Sequence, residues 1–97
     1  MRIVFSDESR RDLREITGFI AADSRSRARS YVAELASACT SLVDQPLRYP
    51  LIPNYESLAL RRRPYGNYAI IYVAERDVIT IVRVLHSAMD LSSALGD

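Results

Sequence analysis

The sequence predicts an α+β fold of order β-α-α-β-β-β, in which a helical hairpin lies on a mainly antiparallel four-stranded sheet. Three observations lead there. Ala28, Tyr31, Val32, Leu35, Ala36, Cys39, Leu42 and Val43 recur at one helical period. The C-terminal half carries three strand candidates, separated by connections of hairpin length. The two helical stretches are joined by only a few polar residues, which makes them antiparallel neighbours able to present one apolar face to a sheet.

Taken in order, residues 2 to 5 are a short apolar strand candidate. Ser6 then offers a capping hydroxyl, and Asp7 and Glu8 place negative charge on the positive end of a helix dipole. This helix is expected from Asp7 to Ala22, with Leu13, Ile16, Phe19 and Ile20 on the buried face. Arg10, Arg11, Arg14 and Glu15 lie mainly on the solvent face, Arg11 and Glu15 as an ion pair one turn apart.

A turn at Asp23-Ser24-Arg25-Ser26 leads into the second helix, which ends near Asp44 because Gln45 precedes Pro46 and a residue before proline resists helical geometry. Residues 45 to 57, with Pro46, Pro50 and Pro53 among apolar residues, read as an extended loop that partly packs. Strands are expected at 58 to 63, 68 to 74 and 78 to 85, joined by Pro64-Tyr65-Gly66-Asn67 and Glu75-Arg76-Asp77.

Alternation sorts Tyr68, Ile70 and Tyr72 from Ala69, Ile71 and Val73. It sorts Ile79, Ile81, Arg83 and Leu85 from Val78, Thr80, Val82 and Val84. Both sheet faces are therefore apolar, and one helical layer covers only one of them, so the second face is expected to be an uncovered partner-binding surface. The tail from Ser87 onward, with Met89, Leu91, Ala94 and Leu95, reads as a short helix or a packed extension.

At 97 residues the chain is expected to form one domain, 1–97. No apolar run approaches the roughly 18 residues of a membrane span, and the early acidic turn of the N-terminus points away from a secretory leader, which together imply a cytoplasmic protein. Cys39 is the only cysteine and His86 the only histidine, so neither a disulfide nor a multi-cysteine metal site is expected, and no cofactor is. All 13 basic residues are arginines, but 12 acids bring the net charge to +1. That balance favours protein partners over direct nucleic-acid binding.

Leu60, Arg61, Pro64, Gly66, Tyr68, Ile70, Tyr72, Val78, Ile81, Arg83, Val84, Leu85, His86 and Asp90, together with Asp12-Leu13 and Ile16, form a pattern that resembles the ParE branch of the ParE/RelE bacterial toxins. The resemblance implies the ParE/RelE-like toxin fold and the role of toxin in a type II toxin-antitoxin pair. ParE members inhibit DNA gyrase by protein contact and are neutralised by a ParD-like antitoxin, whereas RelE members cut mRNA on the ribosome.

Ribonucleolytic cleavage needs groups that activate the 2′-hydroxyl, neutralise the phosphate and protonate the leaving oxygen. The family's nucleolytic members typically carry arginine after the tyrosine that opens the middle strand of the meander; here Ala69 follows Tyr68. There is no lysine, and the tail after His86 holds no tyrosine. These absences point to the gyrase-inhibiting branch and a non-enzymatic role. Ser87-Ala88-Met89 stand where many ParE members carry basic residues.

Two alternatives remain: a RelE-like mRNA endonuclease using Arg61, Arg83 and His86, and a non-toxic relic that only binds antitoxin. The candidates for antitoxin or target contact are Arg61, Arg62, Arg63, Tyr68, Tyr72, Arg83 and His86. Each also has a plain structural reading. The three consecutive arginines serve equally as charges that keep an edge strand from aggregating. Tyr68 and Tyr72 read as sheet packing. His86 reads as a strand terminator, Arg83 as the partner of a carboxylate such as Asp90, and Cys39 as a small buried apolar side chain.

Overall fold

In the computed structural model, which describes residues 1–95, the predicted element order is present with one helix added at the end. Strand β1 is Arg2–Phe5, helix α1 Asp7–Ala21 and helix α2 Arg25–Thr40, which runs into a 3-10 turn at Ser41–Val43. A second 3-10 turn at Glu56–Leu58 precedes β2 (Arg61–Tyr65), β3 (Tyr68–Glu75), β4 (Val78–His86) and a short helix α3 (Leu91–Leu95). The sheet order is β1-β4-β3-β2, antiparallel except where β1 runs parallel to β4.

Local chemistry sets the boundaries. The Ser6 hydroxyl accepts from the Ser9 N–H at 3.0 Å, capping α1, and donates to the Val82 carbonyl at 2.7 Å, so one side chain both starts the helix and pins it to β4. Ser24 caps α2 through the Arg27 N–H at 3.1 Å, which starts that helix at Arg25, three residues before its apolar stripe. Strand β2 begins at Arg61 rather than 58, because Glu56–Leu58 form a tight turn and Ala59 adopts a left-handed conformation at φ 57. It continues through Pro64, which an edge strand tolerates.

The turn that follows is tight. Gly66 has φ +57, and a Cβ there would sit 2.7 Å from the Tyr31 hydroxyl oxygen, so a larger residue would strain the backbone and have to displace the end of that side chain.

The α2 stripe lies where the period places it. Leu35, Cys39 and Leu42 join Ile16 of α1 against Ile70, Tyr72, Ile79, Ile81 and Val84. Phe19 departs from expectation, being 76% exposed. At 100° per residue it stands about 60° off the Ile16 line, on the flank of the stripe. Arg11 and Glu15 are not paired; among the described residues the ion pairs are Arg27–Glu34 and Arg83–Asp12.

Two expectations about the sheet fail. Strict alternation breaks in β4, because Tyr72 pairs with Ile81 while Ile71 pairs with Arg83, leaving Val82 as the extra residue of a bulge. Consequently Val84 rejoins Ile79 and Ile81 on the helix-covered face, and Leu85 lies on the other. The second face is also not bare. Ile52 and Leu60 of the loop pack there with Ala69, Ile71 and Leu85, and Leu91, Ala94 and Leu95 of α3 close over them. The loop expected to pack in part and the tail expected as a short helix or packed extension supply this cover, but no helical or strand period told which face they would close.

Candidate functional site

Arginine chemistry on the sheet separates into two places. The first is at β4. Arg83 Nε donates to Asp12 Oδ2 at 2.8 Å, Nη2 donates to Oδ1 at 2.9 Å, and Nη1 donates to the Ala94 carbonyl at 2.6 Å. Asp12 Oδ2 also accepts from the Val84 N–H at 2.9 Å. Strand β1 pairs only with Val78 to Ile81, so this carboxylate supplies an acceptor to β4 where its neighbouring strand has ended. The hydrogen bond to Asp12 holds the Arg83 pKa above its ordinary value, against the opposing effect of burial.

Arg83 thus has the carboxylate partner that its sequence context implied, but that partner is Asp12 and not Asp90. Asp90 instead accepts from the backbone N–H and hydroxyl of Ser92, one turn into the tail. The pairing spans 71 positions, and no local spacing signals it.

The second place is the β2 edge. Arg61 Nη1 donates to the Tyr49 carbonyl at 2.7 Å, tying the loop after α2 to the strand. Arg63 Nη1 donates to the Tyr49 hydroxyl at 2.6 Å, and its guanidinium lies 5.2 Å from the Tyr49 ring centre and 5.8 Å from that of Tyr65. Arg48 approaches the same Tyr49 ring to 5.4 Å. Arg62 belongs to the opposite side, in an apolar trough shared with Pro53 and Pro64.

The tyrosines and the histidine sit as follows. Tyr72 is fully buried, its hydroxyl donating to the Pro46 carbonyl at 2.8 Å, and burial raises its pKa. Tyr68 is half-buried beside Tyr31 and His86, with ring centres 6.0 and 5.7 Å away, and meets the His86 ring nearly at right angles. His86 is exposed, and its Nδ1 accepts from the Ala88 N–H at 3.2 Å, which ends the strand and turns the chain. Cys39 is buried among apolar side chains, and that burial pushes its thiol up to about 12.

Arg83 and His86 line one open cleft with Asp12 and Tyr68, but Arg61 does not join them. Arg61 lies opposite Tyr72 and Arg83 opposite Ile71, adjacent positions of β3 whose side chains take opposite faces. Arg48 and Tyr49 are the members of the β2-edge site that the sequence reading missed; they lie in a proline-rich loop with no period to mark them. Among the described residues, no three His, Cys, Asp or Glu side chains gather as a metal site, and no helix is long and apolar enough to cross a membrane.

A family model described as the ParE toxin of the type II toxin-antitoxin system parDE matches residues 3–91, nearly the whole chain. The chain belongs to the ParE toxin family. No curated protein matches it in sequence. Among solved structures it is similar to the chromosomal ParDE toxin-antitoxin system from P. aeruginosa, with a TM-score of 0.72 over 89% of this chain and 95% of that one. At 15% identity this likeness establishes the ParE fold and leaves the side-chain chemistry to be argued from this chain's own residues.

Proposed function

We propose that this ParE-family chain acts in the bacterial cytoplasm as a non-enzymatic inhibitor of DNA gyrase and is neutralised by a cognate ParD-like antitoxin. The observation that carries the reading is the fate of the three groups a nuclease would need. Arg61 holds a loop carbonyl, Arg83 is locked to Asp12 and Ala94, and His86 binds its own turn. General acid-base cleavage of RNA needs such groups within reach of one scissile phosphate. A protein-contact mechanism needs only a surface that binds one state of the target better than the others. For gyrase that state is the one with cleaved DNA.

The test incubates purified chain with gyrase, ATP and relaxed plasmid, then scores supercoiling and protein-linked DNA breaks. Blocked supercoiling with trapped breaks is the expected result. Normal supercoiling from folded chain rejects it. The endonuclease alternative separates from it through His86→Ala, which abolishes growth inhibition if His86 is a catalytic acid and leaves it largely intact under the gyrase reading.

A further inference from the structure

The β2-edge arginines show an imbalance that packing does not resolve. Arg48, Arg62 and Arg63 have no ion-pair partner among the described residues, where Arg27 and Arg83 do. Arg63 Nε is the one buried side-chain nitrogen or oxygen among the described residues without a hydrogen-bond partner. A buried guanidinium donor left unmet is costly, and proteins retain few such groups. The Arg63 side chain also lines an open cleft of about 270 Å³, together with Ser41, Asp44, Gln45, Arg48 and Tyr49.

The cleft has a definite chemistry. Two guanidinium groups approach the Tyr49 ring, Arg63 at 5.2 Å and Arg48 at 5.4 Å from its centre, so two positive charges lie near one aromatic wall. The single carboxylate of the lining, Asp44, pairs with neither. Arg61 does not line the cleft, and its guanidinium is held by the Tyr49 carbonyl. That bond fixes the position of Tyr49, and so preorganises the wall. Sharing Tyr49 on the other side is an apolar trough of about 480 Å³, lined by Pro50, Leu51, Pro53, Arg62 and Pro64. Leu51 is 39% exposed at its edge.

We infer that the Arg48-Tyr49-Arg63 cleft is a carboxylate-binding site that takes an acidic side chain of a protein segment, with an adjoining apolar side chain of the same segment seated in the Pro53-Pro64 trough. Guanidinium groups bind carboxylate through charge-assisted, often two-point hydrogen bonds, and among the described residues neither Arg48 nor Arg63 has a carboxylate partner in the fold. The apolar trough beside it selects a peptide over a bare anion. Resting on the toxin-antitoxin reading above, the segment belongs to the antitoxin, and the site assigns Arg63 and Arg48, rather than Arg61, to holding it.

The test uses the full chain, isotopically labelled so that arginine Nε–H resonances are resolved by NMR. It is titrated at low salt with a capped nine-residue peptide carrying one Glu flanked by leucines, and with its Gln twin. The expected result is saturable movement of the Arg48 and Arg63 resonances by the Glu peptide, with the Gln twin binding at least about tenfold more weakly. Arg63→Gln and Arg48→Gln each abolish that discrimination, while retained amide dispersion confirms folding.

Equal binding of the two peptides, or movement confined to Arg83 and His86, overturns the inference. Stronger movement of the same resonances by an eight-nucleotide single-stranded RNA overturns it in favour of a phosphate site. Because gyrase is absent, failure here is distinct from failure of the supercoiling assay, and a positive titration stands even if supercoiling is untouched.

Discussion

The two faces of the sheet are closed in different ways. One is covered by α1 and α2, whose caps, periods and lengths are encoded locally and whose side chains Leu35, Cys39 and Ile16 meet Tyr72, Ile79 and Ile81 in one core. The other is covered by pieces: Ile52 and Leu60 from a loop and Leu91, Ala94 and Leu95 from a five-residue helix too short to be stable alone. The comparison teaches that a sheet apolar on both faces can be completed by segments with no secondary-structure signal of their own. Their order depends on the sheet they cover.

The comparison can be broken at four points. Leu35 is fully buried at the centre of the helix-covered face, so Leu35→Ala is expected to cost about 3 to 4 kcal/mol in urea unfolding. A cost below about 1 kcal/mol would mean that this face is not the main core.

Asp12→Asn removes the charge that meets Arg83 and weakens the acceptor for Val84, and is expected to cost about 3 kcal/mol. It also releases Arg83, which holds Ala94, so amide exchange in α3 should accelerate more than in α2. Equal acceleration in both helices would show that the ion pair does not couple the tail to the sheet.

High pH acts mainly on the helix-covered face. The folded-state pKa of Cys39 is raised to about 12, so folding keeps the thiol protonated while the unfolded chain ionises near 9. That contribution is complete below pH 9 and declines as pH rises towards 12, by at most about 1.4 kcal/mol per pH unit. Tyr72, raised by the same burial, adds to the decline above 10. Cys39→Ala should flatten the slope that begins at pH 9 and leave the tyrosine part, measurable by unfolding at a series of pH values.

Leu91→Ala gives the smallest effect, about 1 kcal/mol or less, because this side chain is only half-buried and its neighbours can adjust. A loss as large as that of Leu35→Ala would make the second face an equal core.

Legibility in the sequence followed the range of the physics. Ser6, the α2 stripe from Ala28 to Val43 and the β3-β4 meander were read correctly because each depends on residues within a turn or a strand of one another. Phe19 misled because a position on the flank of an amphipathic stripe is buried or exposed according to what lies beside it. The bulge at Val82 escaped because one extra residue resets every later side chain to the other face and leaves no mark in composition. Of the candidate site residues, the sequence placed Arg61 to Arg63 on a strand edge, but it did not separate Arg61, bonded to a backbone carbonyl, from Arg63, which has a donor to spare.

By itself, then, the sequence determined the α+β class, the order of the elements and the helical hairpin, since these rest on periodicity, capping and turn chemistry repeated along the chain, and its resemblance to the ParE pattern pointed to the family. Tertiary structure alone decided that Arg83 meets Asp12 rather than Asp90, that loop and tail close the second face, and that Arg48, Tyr49 and Arg63 share a cleft. Those outcomes depend on contacts between residues far apart in sequence, whose geometry exists only once the sheet has brought them together.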